Sequence, residues 1–483
     1  LKNRPKRRNR QQGDNRAEID VFSKDGQMMK ATASRAPRKP AGNGTLNRTT
    51  FETSRLLDFC SEKELTAQTG HDPDDWPLVI LKEAVDNALD ACEEAGTAPV
   101  IEIIAKADSI TVSDNGPGIP ATTVESLLDY SVRVSSREAY VSPTRGAQGN
   151  ALKTLLAMPF VLDGNHGQVD ISAHGHRHEI VFRVDQIRQK PAITHATHPE
   201  NVKNGTKIKV HWPDSACSKL DDAKASFLQL ADDYTWLNPH LTLTVDWFGR
   251  KTTTEATAPA WCKWLPSEPT SAWWYGPEEF ERLIAAYITH DQDRGNDRSV
   301  RELVKEFRGL TGTAKQKAVL EDTGLTRTNL SALVNGHGLR REEVAKLLQA
   351  TQKHSKPVKP AALGIIGREH IEKRLTAIGC EMESFQYRKV AEVDGDGLPM
   401  VIETAFAWRG DQSEEPRRLI TGVNWSPGIG NPFRTLGAKY GDGLTALLEK
   451  QMAGHTEPVI FLLHVAHPRV RYTDRGKSAL VME

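Results

Sequence analysis

Three polar residues, Glu83, Asn87 and Asp90, stand four and three apart in the run Lys82-Glu83-Ala84-Val85-Asp86-Asn87-Ala88-Leu89-Asp90-Ala91. On a helix that spacing brings all three to one face. A carboxylate one turn from an amide could do two jobs there. The carboxylate can take a proton from water, and the amide oxygen can ligate Mg²⁺, a hard ion that prefers oxygen. An exposed polar helix face would look the same, so this run alone decides nothing. A second run, Asp114-Asn115-Gly116-Pro117-Gly118-Ile119-Pro120, follows a predicted strand. Its glycines let the backbone approach a flat ligand closely, and the aspartate can accept a hydrogen bond from an exocyclic amine. As a plain surface turn the same residues would be equally at home. A third, Thr144-Arg145-Gly146-Ala147-Gln148-Gly149-Asn150-Ala151-Leu152-Lys153, is a glycine loop running into a helix, where free backbone N–H groups can cradle phosphate. It lacks the GxxxxGK[ST] spacing of a P-loop. Fourth, Asn204-Gly205-Thr206 places a hydroxyl at the start of a strand.

The elements that must position these groups can be read from hydrophobic periodicity. Trp76 to Ala95 reads as a long helix whose apolar stripe is Leu78, Leu81, Val85, Ala88, Leu89 and Cys92. Val100–Ala105, Ser109–Ser113, Val169–Ala173, Glu179–Val184, Lys207–His211 and Leu241–Trp247 read as strands. Val124–Tyr130 reads as helix, Ser131–Thr144 as a mobile lid, and a further helix is expected to start near Gly149. Helix and sheet segregate, which predicts an α+β sandwich rather than a doubly wound sheet. Residues 277–353 change to short, glycine-punctuated helices, and Lys356–Pro360 is a proline-bearing connector. Beyond it Leu398–Trp408, Arg418–Val423 and Val459–Val465 are the clearest strands.

With 483 residues the chain is long enough for about three domains. Apolar residues make up 38%, which fills cores but supplies no stretch near the roughly 20 apolar residues a membrane helix needs. No membrane partner is therefore expected. No secretory leader is visible, which points to a cytosolic protein. Five dispersed cysteines without a CxxC pair fit a reducing compartment and buried thiols, not zinc or disulfides. Acidic and basic side chains balance at 63 each, so the whole-molecule field does not point to nucleic acid. Locally, Lys2, Arg4, Lys6, Arg7, Arg8 and Arg10 form a basic tail, expected to be disordered and able to touch phosphates nonspecifically.

Taken together, in this order and at these intervals, the four runs resemble the nucleotide site of the GHKL (Bergerat) ATPases. The segment Lys82 to Glu93 and the run Arg145-Gly146-Ala147-Gln148-Gly149 are similar to the topoisomerase VI B branch of that superfamily. So is Lys359 to Glu369, which resembles the exit from that branch's helical insert. Gly422 to Pro427 and His464 through Ser478 resemble parts of its transducer. The resemblance implies an α+β multidomain chain: a basic tail over 1–48, a GHKL sandwich with an N-terminal strap over 49–255, a helix-two-turn-helix-like insert over 277–355, and a ribosomal S5-like transducer over 360–483. It implies ATP and Mg²⁺ as cofactors, Glu83 as catalytic base and Asn87 as the magnesium ligand. Asp114 would read the adenine beside Gly116, Gly118 and Ile119, with Thr206 in the same network. Asp90, Arg145, Gly146, Ala147, Gln148, Gly149, Asn150 and Lys153 would complete the nucleotide contacts, and Lys477 would reach the γ-phosphate as a switch.

The implied function is that of the ATPase subunit of a type IIB DNA topoisomerase. Such a subunit is nucleoid-associated, dimerises on ATP, closes on duplex DNA without sequence preference and signals to a separate DNA-cleaving A subunit. The alternative is the same clamp coupled to another effector, such as a defence nuclease or break-forming complex. Two departures stand out. Gly149-Asn150-Ala151 lacks one glycine of the family lid, which puts the turnover rate in question. The chain also stops six residues after Lys477, where the family continues toward its A subunit.

Overall fold

The computed structural model describes residues 60–128, 139–145, 151–185, 190–202, 204–336, 338–410, 413–436, 443–473 and 479–481. The basic tail, the first half of the expected lid, residues Gly146–Asn150 and Lys477 lie outside them.

An eight-stranded sheet is built from β1 (Val100–Lys106), β2 (Ser109–Ser113), β3 (Gly167–Ala173), β4 (His176–Asp185), β5 (Lys190–Pro199), β6 (Lys207–His211), β7 (Thr242–Trp247) and β8 (Arg250–Thr254), in the order β5-β4-β3-β6-β2-β1-β7-β8. All neighbours are antiparallel except β1 and β7. The alternation in β1, with Ile101, Ile103 and Ala105 buried between more exposed residues, turns one face of the sheet inward. Against that face pack α2 (Trp76–Glu94), α4 (Ala151–Asp163) and α6 (Lys224–Leu237), with α1 (Glu62–Thr69), α3 (Ala121–Leu127) and α5 (Cys217–Asp222) at the periphery. Helix and sheet do segregate, in an α+β arrangement.

Helix α2 carries the first motif. Pro77 lies in its opening turn, where a missing N–H costs nothing. Its predicted apolar stripe is buried throughout: Leu78, Leu81, Val85, Ala88, Leu89 and Cys92 are all at most 4% exposed. Each aliphatic side chain so buried contributes about 1.5–3 kcal/mol, which fixes the rotation of the helix and hence which face its polar residues present.

Four helices follow: α7 (Pro277–Asp293), α8 (Val300–Lys305), α9 (Thr313–Thr323) and α10 (Arg341–His354), the last preceded by the short hairpin β9 (Val334–Asn335) and β10 (Gly338–Leu339). A Ser299–Glu302 capping box starts α8, and Gly324 at φ 72° ends α9. After α11 (Arg368–Ala377) comes a five-stranded sheet of β11 (Glu381–Val393), β12 (Pro399–Trp408), β13 (Arg418–Val423), β14 (Ser426–Pro427) and β15 (Val459–Ala466), in the order β11-β12-β15-β13-β14, with α12 (Leu444–Lys450) before β15. One apolar cluster runs from Phe280, Leu303 and Leu347 of the helices through Trp264, Trp274 and Trp425 to Ile420 and Leu462 of this sheet.

Several expectations need correction. The helix read from Val124 begins at Ala121 and is described to Leu127. Strands β5, β8 and β11 were not predicted. The second half of the expected lid, Ser131–Thr144, is tied to the rest of the chain at Tyr140 and Val141. Thr270 donates its backbone N–H to the Tyr140 hydroxyl at 2.9 Å and its own hydroxyl to the Val141 carbonyl at 2.7 Å, while the Tyr275 hydroxyl accepts from Val141 N–H at 2.8 Å. Those bonds and the packing of Ala139, Tyr140 and Val141 on the second apolar cluster pin residues 139–141 in place. Of the cysteines expected to be buried, Cys92 and Cys380 are; Cys60 and Cys217 are half-buried, and Cys262 is exposed on a loop. Among the described residues no helix is long and apolar enough to cross a membrane.

Candidate nucleotide site

The second and fourth motifs, about 90 residues apart, are knotted together at the ends of β2 and β6. The Asp114 N–H donates to the Thr206 carbonyl at 2.9 Å, and the Gly205 N–H to the Gly116 carbonyl at 2.8 Å. The Asp114 carboxylate accepts from the Gly116 N–H at 2.8 Å and the Thr206 N–H at 3.2 Å, both on Oδ1. The Thr206 hydroxyl accepts from the Ile119 N–H at 3.1 Å. Asp114, Gly116, Ile119 and Thr206 are thus bonded into one unit, and among the described residues no hydrogen bond reaches Oδ2 of Asp114. Burial pushes the Asp114 carboxyl above its ordinary value, against the two backbone N–H groups that favour its charge.

The glycines are here for room. A Cβ on Gly205, at φ 79°, would stand 1.8 Å from the Asp114 carbonyl oxygen, so any other residue would separate the two loops. Gly118, at φ 87°, has His174 Nε2 and the Gly205 carbonyl about a Cβ contact away, at 3.0 and 3.1 Å. Gly205 was within a recognised motif yet was not among the expected site residues. Its Asn-Gly context before a strand is the signal that could have singled it out.

On α2, Asn87 is exposed and donates its amide to the Glu83 carbonyl at 2.7 Å. That bond turns its side-chain oxygen outward as an acceptor. Glu83, one turn earlier, is half-buried. Among the described residues no group of three or more His, Cys, Asp or Glu side chains could cage a metal. A lone amide oxygen fits Mg²⁺ that arrives with phosphate and keeps most of its ligands from water and nucleotide.

Asp90 departs from the other two. Its Oδ1 takes a 2.6 Å bond from Arg145, whose other bonds go to Glu93 (2.6 and 2.7 Å) and the Asn238 amide oxygen (2.6 Å). The Arg145 side chain is wholly enclosed. The structure thus places the Arg145 guanidinium among two carboxylates and an amide inside the protein, as a buried counterion, with Asp90 as one of its partners. Glu93 also takes Lys263 Nζ at 2.9 Å and His240 Nε2 at 3.0 Å. Burial raises the Glu93 carboxyl, but Arg145 and Lys263 outweigh it and hold the group well below the usual range. Asp90 shares the same arginine yet is shifted upward, chiefly by burial. The bidentate grip and the second cation belong to Glu93, so Glu93 carries the charge of this cluster.

A second buried cluster sits one turn back. Asp86 accepts from Lys82 Nζ at 3.0 Å, the Ser426 hydroxyl at 2.8 Å and the Tyr234 hydroxyl at 2.8 Å. Through it α2 is tied to α6 and, across the sequence, to β14. Asp86, Glu93, Asn238, His240, Lys263, Tyr234 and Ser426 were all missed as members of this environment. Only Asp86 and Glu93 left a trace: with Asp90 they make an acidic stripe at helical spacing. The others come from segments that share no motif with α2. Lys153, in the first turn of α4, is buried, at 1% exposed. Gly146, Ala147, Gln148, Gly149, Asn150 and Lys477 lie outside the described residues.

Comparison with known proteins agrees with this geometry. Residues 74–216 match the family model for histidine kinase-, DNA gyrase B-, and HSP90-like ATPases, a stretch that begins just before α2 and ends beyond Thr206. The B subunit of type 2 DNA topoisomerase 6 from Archaeoglobus fulgidus is 25% identical over 434 residues, covering 83% of this chain and 66% of that protein. Its counterpart from Methanosarcina mazei is 24% identical, covering 83% of this chain and 64% of its own length. The chain thus spans slightly less than two thirds of these two curated relatives. The counterpart from Natronomonas pharaonis reaches 35% identity over 152 residues, 29% of this chain and 18% of that one. Among solved structures, the N-terminal domain of a DNA repair protein covers 85% of this chain and 91% of its own at 11% identity and a TM-score of 0.38. The Aquifex aeolicus MutL ATPase domain with ADP covers 80% and 90% at 12% and 0.30. Both superpositions are loose. The chain carries a GHKL-type ATPase domain and is similar, over most of its length, to the B subunits of DNA topoisomerase 6.

Proposed function

We propose that this chain, with its likeness to topoisomerase 6 B subunits, binds and hydrolyses ATP with Mg²⁺ at the site between α2 and the Asp114–Thr206 knot. We further propose that it works as the ATP-gated B subunit of a type IIB DNA topoisomerase. In that reading two copies close on duplex DNA when ATP binds and signal to a separate DNA-cleaving A subunit. Residues 277–355 are its helical insert and 360–483 its transducer, with Lys477 reporting the γ-phosphate. The observation that carries the reading is the knot itself. It presents a second carboxylate oxygen of Asp114 that makes no hydrogen bond among the described residues, in loops whose glycines let the two segments close on each other. That is a receptor for a flat ring with an exocyclic amine.

The residues divide the work between base, metal and water. Asp114 Oδ2 accepts from the amine of the base, and the Thr206–Ile119 bond keeps the loop rigid around it. Asn87, held by Glu83's carbonyl, offers its outward oxygen to Mg²⁺, which supplies charge neutralisation at the phosphates. The Glu83 carboxylate takes the proton of the attacking water. Residues 146–150, running into α4, give their N–H groups to the phosphates.

Glu83→Gln tests the assignment by pairing calorimetric binding of ATP with turnover. Binding should persist while hydrolysis falls about 10²- to 10⁴-fold, the usual contribution of a positioned base. Turnover at the wild-type rate would remove Glu83 from the mechanism. A wild-type chain that binds no ATP would remove the nucleotide reading altogether.

A further inference from the structure

The run that leads into residues 146–150 is seated on a different part of the molecule from the one that carries α2. Ala139, Tyr140 and Val141 pack on the apolar cluster of the later helices and the second sheet, not on the cluster around α2. Among the described residues, the hydrogen bonds that join 139–144 to other segments go to Glu268, Thr270, Tyr275 and Asn424. The next residue, Arg145, is bonded to α2 through Asp90 and Glu93.

At the centre of this seat stands Thr270, wholly buried and with a partner for each of its polar groups. Its N–H donates to the Tyr140 hydroxyl at 2.9 Å, and its hydroxyl donates to the Val141 carbonyl at 2.7 Å. Its carbonyl accepts from the Arg308 N–H at 2.7 Å. The Tyr140 hydroxyl passes its own proton to the Glu268 carbonyl at 3.0 Å. Because the one proton of the Thr270 hydroxyl goes to Val141, the Tyr275 hydroxyl is the donor in the 3.2 Å bond between the two. Tyr275 in turn accepts from the Val141 N–H at 2.8 Å. Both backbone groups of Val141 are thus held by one pair of residues.

Residues 268–275 are packed with the helices that follow. Tyr275 meets Phe280 of α7 and Phe307, just beyond α8, edge-on at ring-centroid distances of 6.2 and 5.8 Å. The Arg308 guanidinium pairs with Glu268 at 2.9 Å and lies 4.5 Å over the Trp264 ring. Thr270 therefore reaches the run before 146–150 with its N–H and hydroxyl, and the insert with its carbonyl. A buried junction so fully bonded fixes one geometry, since a shift on either side leaves a donor or acceptor with no water to take the partner's place.

We propose that Thr270 and Tyr140 are positioning residues for ATP turnover: they set the run leading into 146–150 from the side of the helical insert, so that a displacement of the insert is felt at the phosphates. This rests on the nucleotide reading above, in which 146–150 meet the phosphates. Among the described residues the Asp114–Thr206 knot shares no hydrogen bond with 139–145 or 268–275, so recognition of the base is independent of this junction.

The full wild-type chain is compared with Thr270→Val, which keeps the shape and removes the hydroxyl, and with Thr270→Ser, which keeps the hydroxyl. Calorimetric affinity for adenosine, which has the base but no phosphates, is set against affinity for a non-hydrolysable ATP analogue with Mg²⁺, and turnover is measured alongside. Thr270→Val should bind adenosine as wild type does, bind the analogue about tenfold more weakly and turn over about 10- to 10²-fold more slowly, the scale of a site misplaced from a distance. Thr270→Ser should match wild type in all three. Tyr140→Phe, at a half-buried position, should show the same selective loss and decides the matter if Thr270→Val does not fold. A merely structural threonine would lower the unfolding temperature and leave the ratio of the two affinities alone. An unchanged ratio in Thr270→Val or Tyr140→Phe overturns the proposal, as does adenosine affinity that falls with the analogue's, or a Thr270→Ser as impaired as Thr270→Val. A wild type that binds neither ligand removes the nucleotide reading and this one with it.

Discussion

Helix α2 places acidic and amide residues on two adjoining faces, and the protein treats the two faces in opposite ways. On one, Asn87 is exposed and Glu83 half-buried, and the Asn87 amide donates to the Glu83 carbonyl of the helix itself. On the other, Asp86 and Glu93 are buried and answered by Lys82, Arg145, Lys263, Ser426 and Tyr234. Asp90 stands on the border and goes with the buried side. Both faces are polar, so hydrophobic patterning cannot tell them apart. The lesson is that burying Asp86 and Glu93 took an array of partners from distant segments, which an exposed amide such as Asn87 does not need.

The largest effect that could break this contrast comes from Arg145→Met. It leaves Glu93 and Asp90 enclosed with Lys263 alone, and losing one partner of a buried ionic cluster costs about 3–5 kcal/mol. Urea unfolding of the mutant should show a loss of that size. A loss under about 1 kcal/mol would mean that water reaches the cluster and that the two faces do not differ. Acid should attack the same side next. Glu93 and Asp86 both have folded pKa values below their unfolded ones: burial opposes this, but Arg145 and Lys263 prevail at Glu93, and Lys82 and Arg145 at Asp86. Their contribution to stability is complete above the unfolded carboxylate range, about pH 4–4.5, and is lost as pH falls through the folded values. Wild type should therefore lose stability steeply as pH falls below about 4.5. In Glu93→Gln, less stable at neutral pH, that slope should be shallower; an unchanged slope would place the acid sensitivity elsewhere.

How far the sequence reveals this molecule depends on whether a signal is local. The central strands β1, β2, β3, β6 and β7 were legible because one face of each is packed, which writes alternation into the chain. Of the strands that escaped notice, the longest, β5, β8 and β11, all lie at sheet edges. There β5 reads Lys190-Pro-Ala-Ile-Thr-His-Ala-Thr-His-Pro199 and β8 Arg250-Lys-Thr-Thr-Thr254, with little apolar alternation because little is covered. The site divides the same way. Asp114, Gly116, Ile119 and Thr206 sit in short motifs and assemble through backbone bonds that those motifs prefigure. The surroundings of Arg145 were not legible because its partners, Asn238 and the Glu93 that Lys263 also binds, come together by tertiary packing. Adjacent to a glycine loop, an arginine reads as a phosphate ligand. Only the fold shows its guanidinium turned inward.

The smallest expected change in stability, and the sharpest test of the open face, is Asn87→Ala. The amide is exposed and, among the described residues, bonds to a carbonyl within its own helix, which already has a backbone partner in an α-helix. Alanine is also the better helix former by a few tenths of a kcal/mol. Unfolding free energy should therefore stay within about 0.5 kcal/mol of wild type, as for other surface changes. If that amide is the magnesium ligand, the loss appears instead in nucleotide binding, and selectively. ATP affinity measured with Mg²⁺ should fall, whereas affinity measured in EDTA should match wild type, because only the first depends on the amide oxygen. Equal losses in both conditions would make Asn87 a contact to the nucleotide itself. A drop in stability above about 1 kcal/mol would show that the amide holds the helix, and the face would then be no more open than the one beside it.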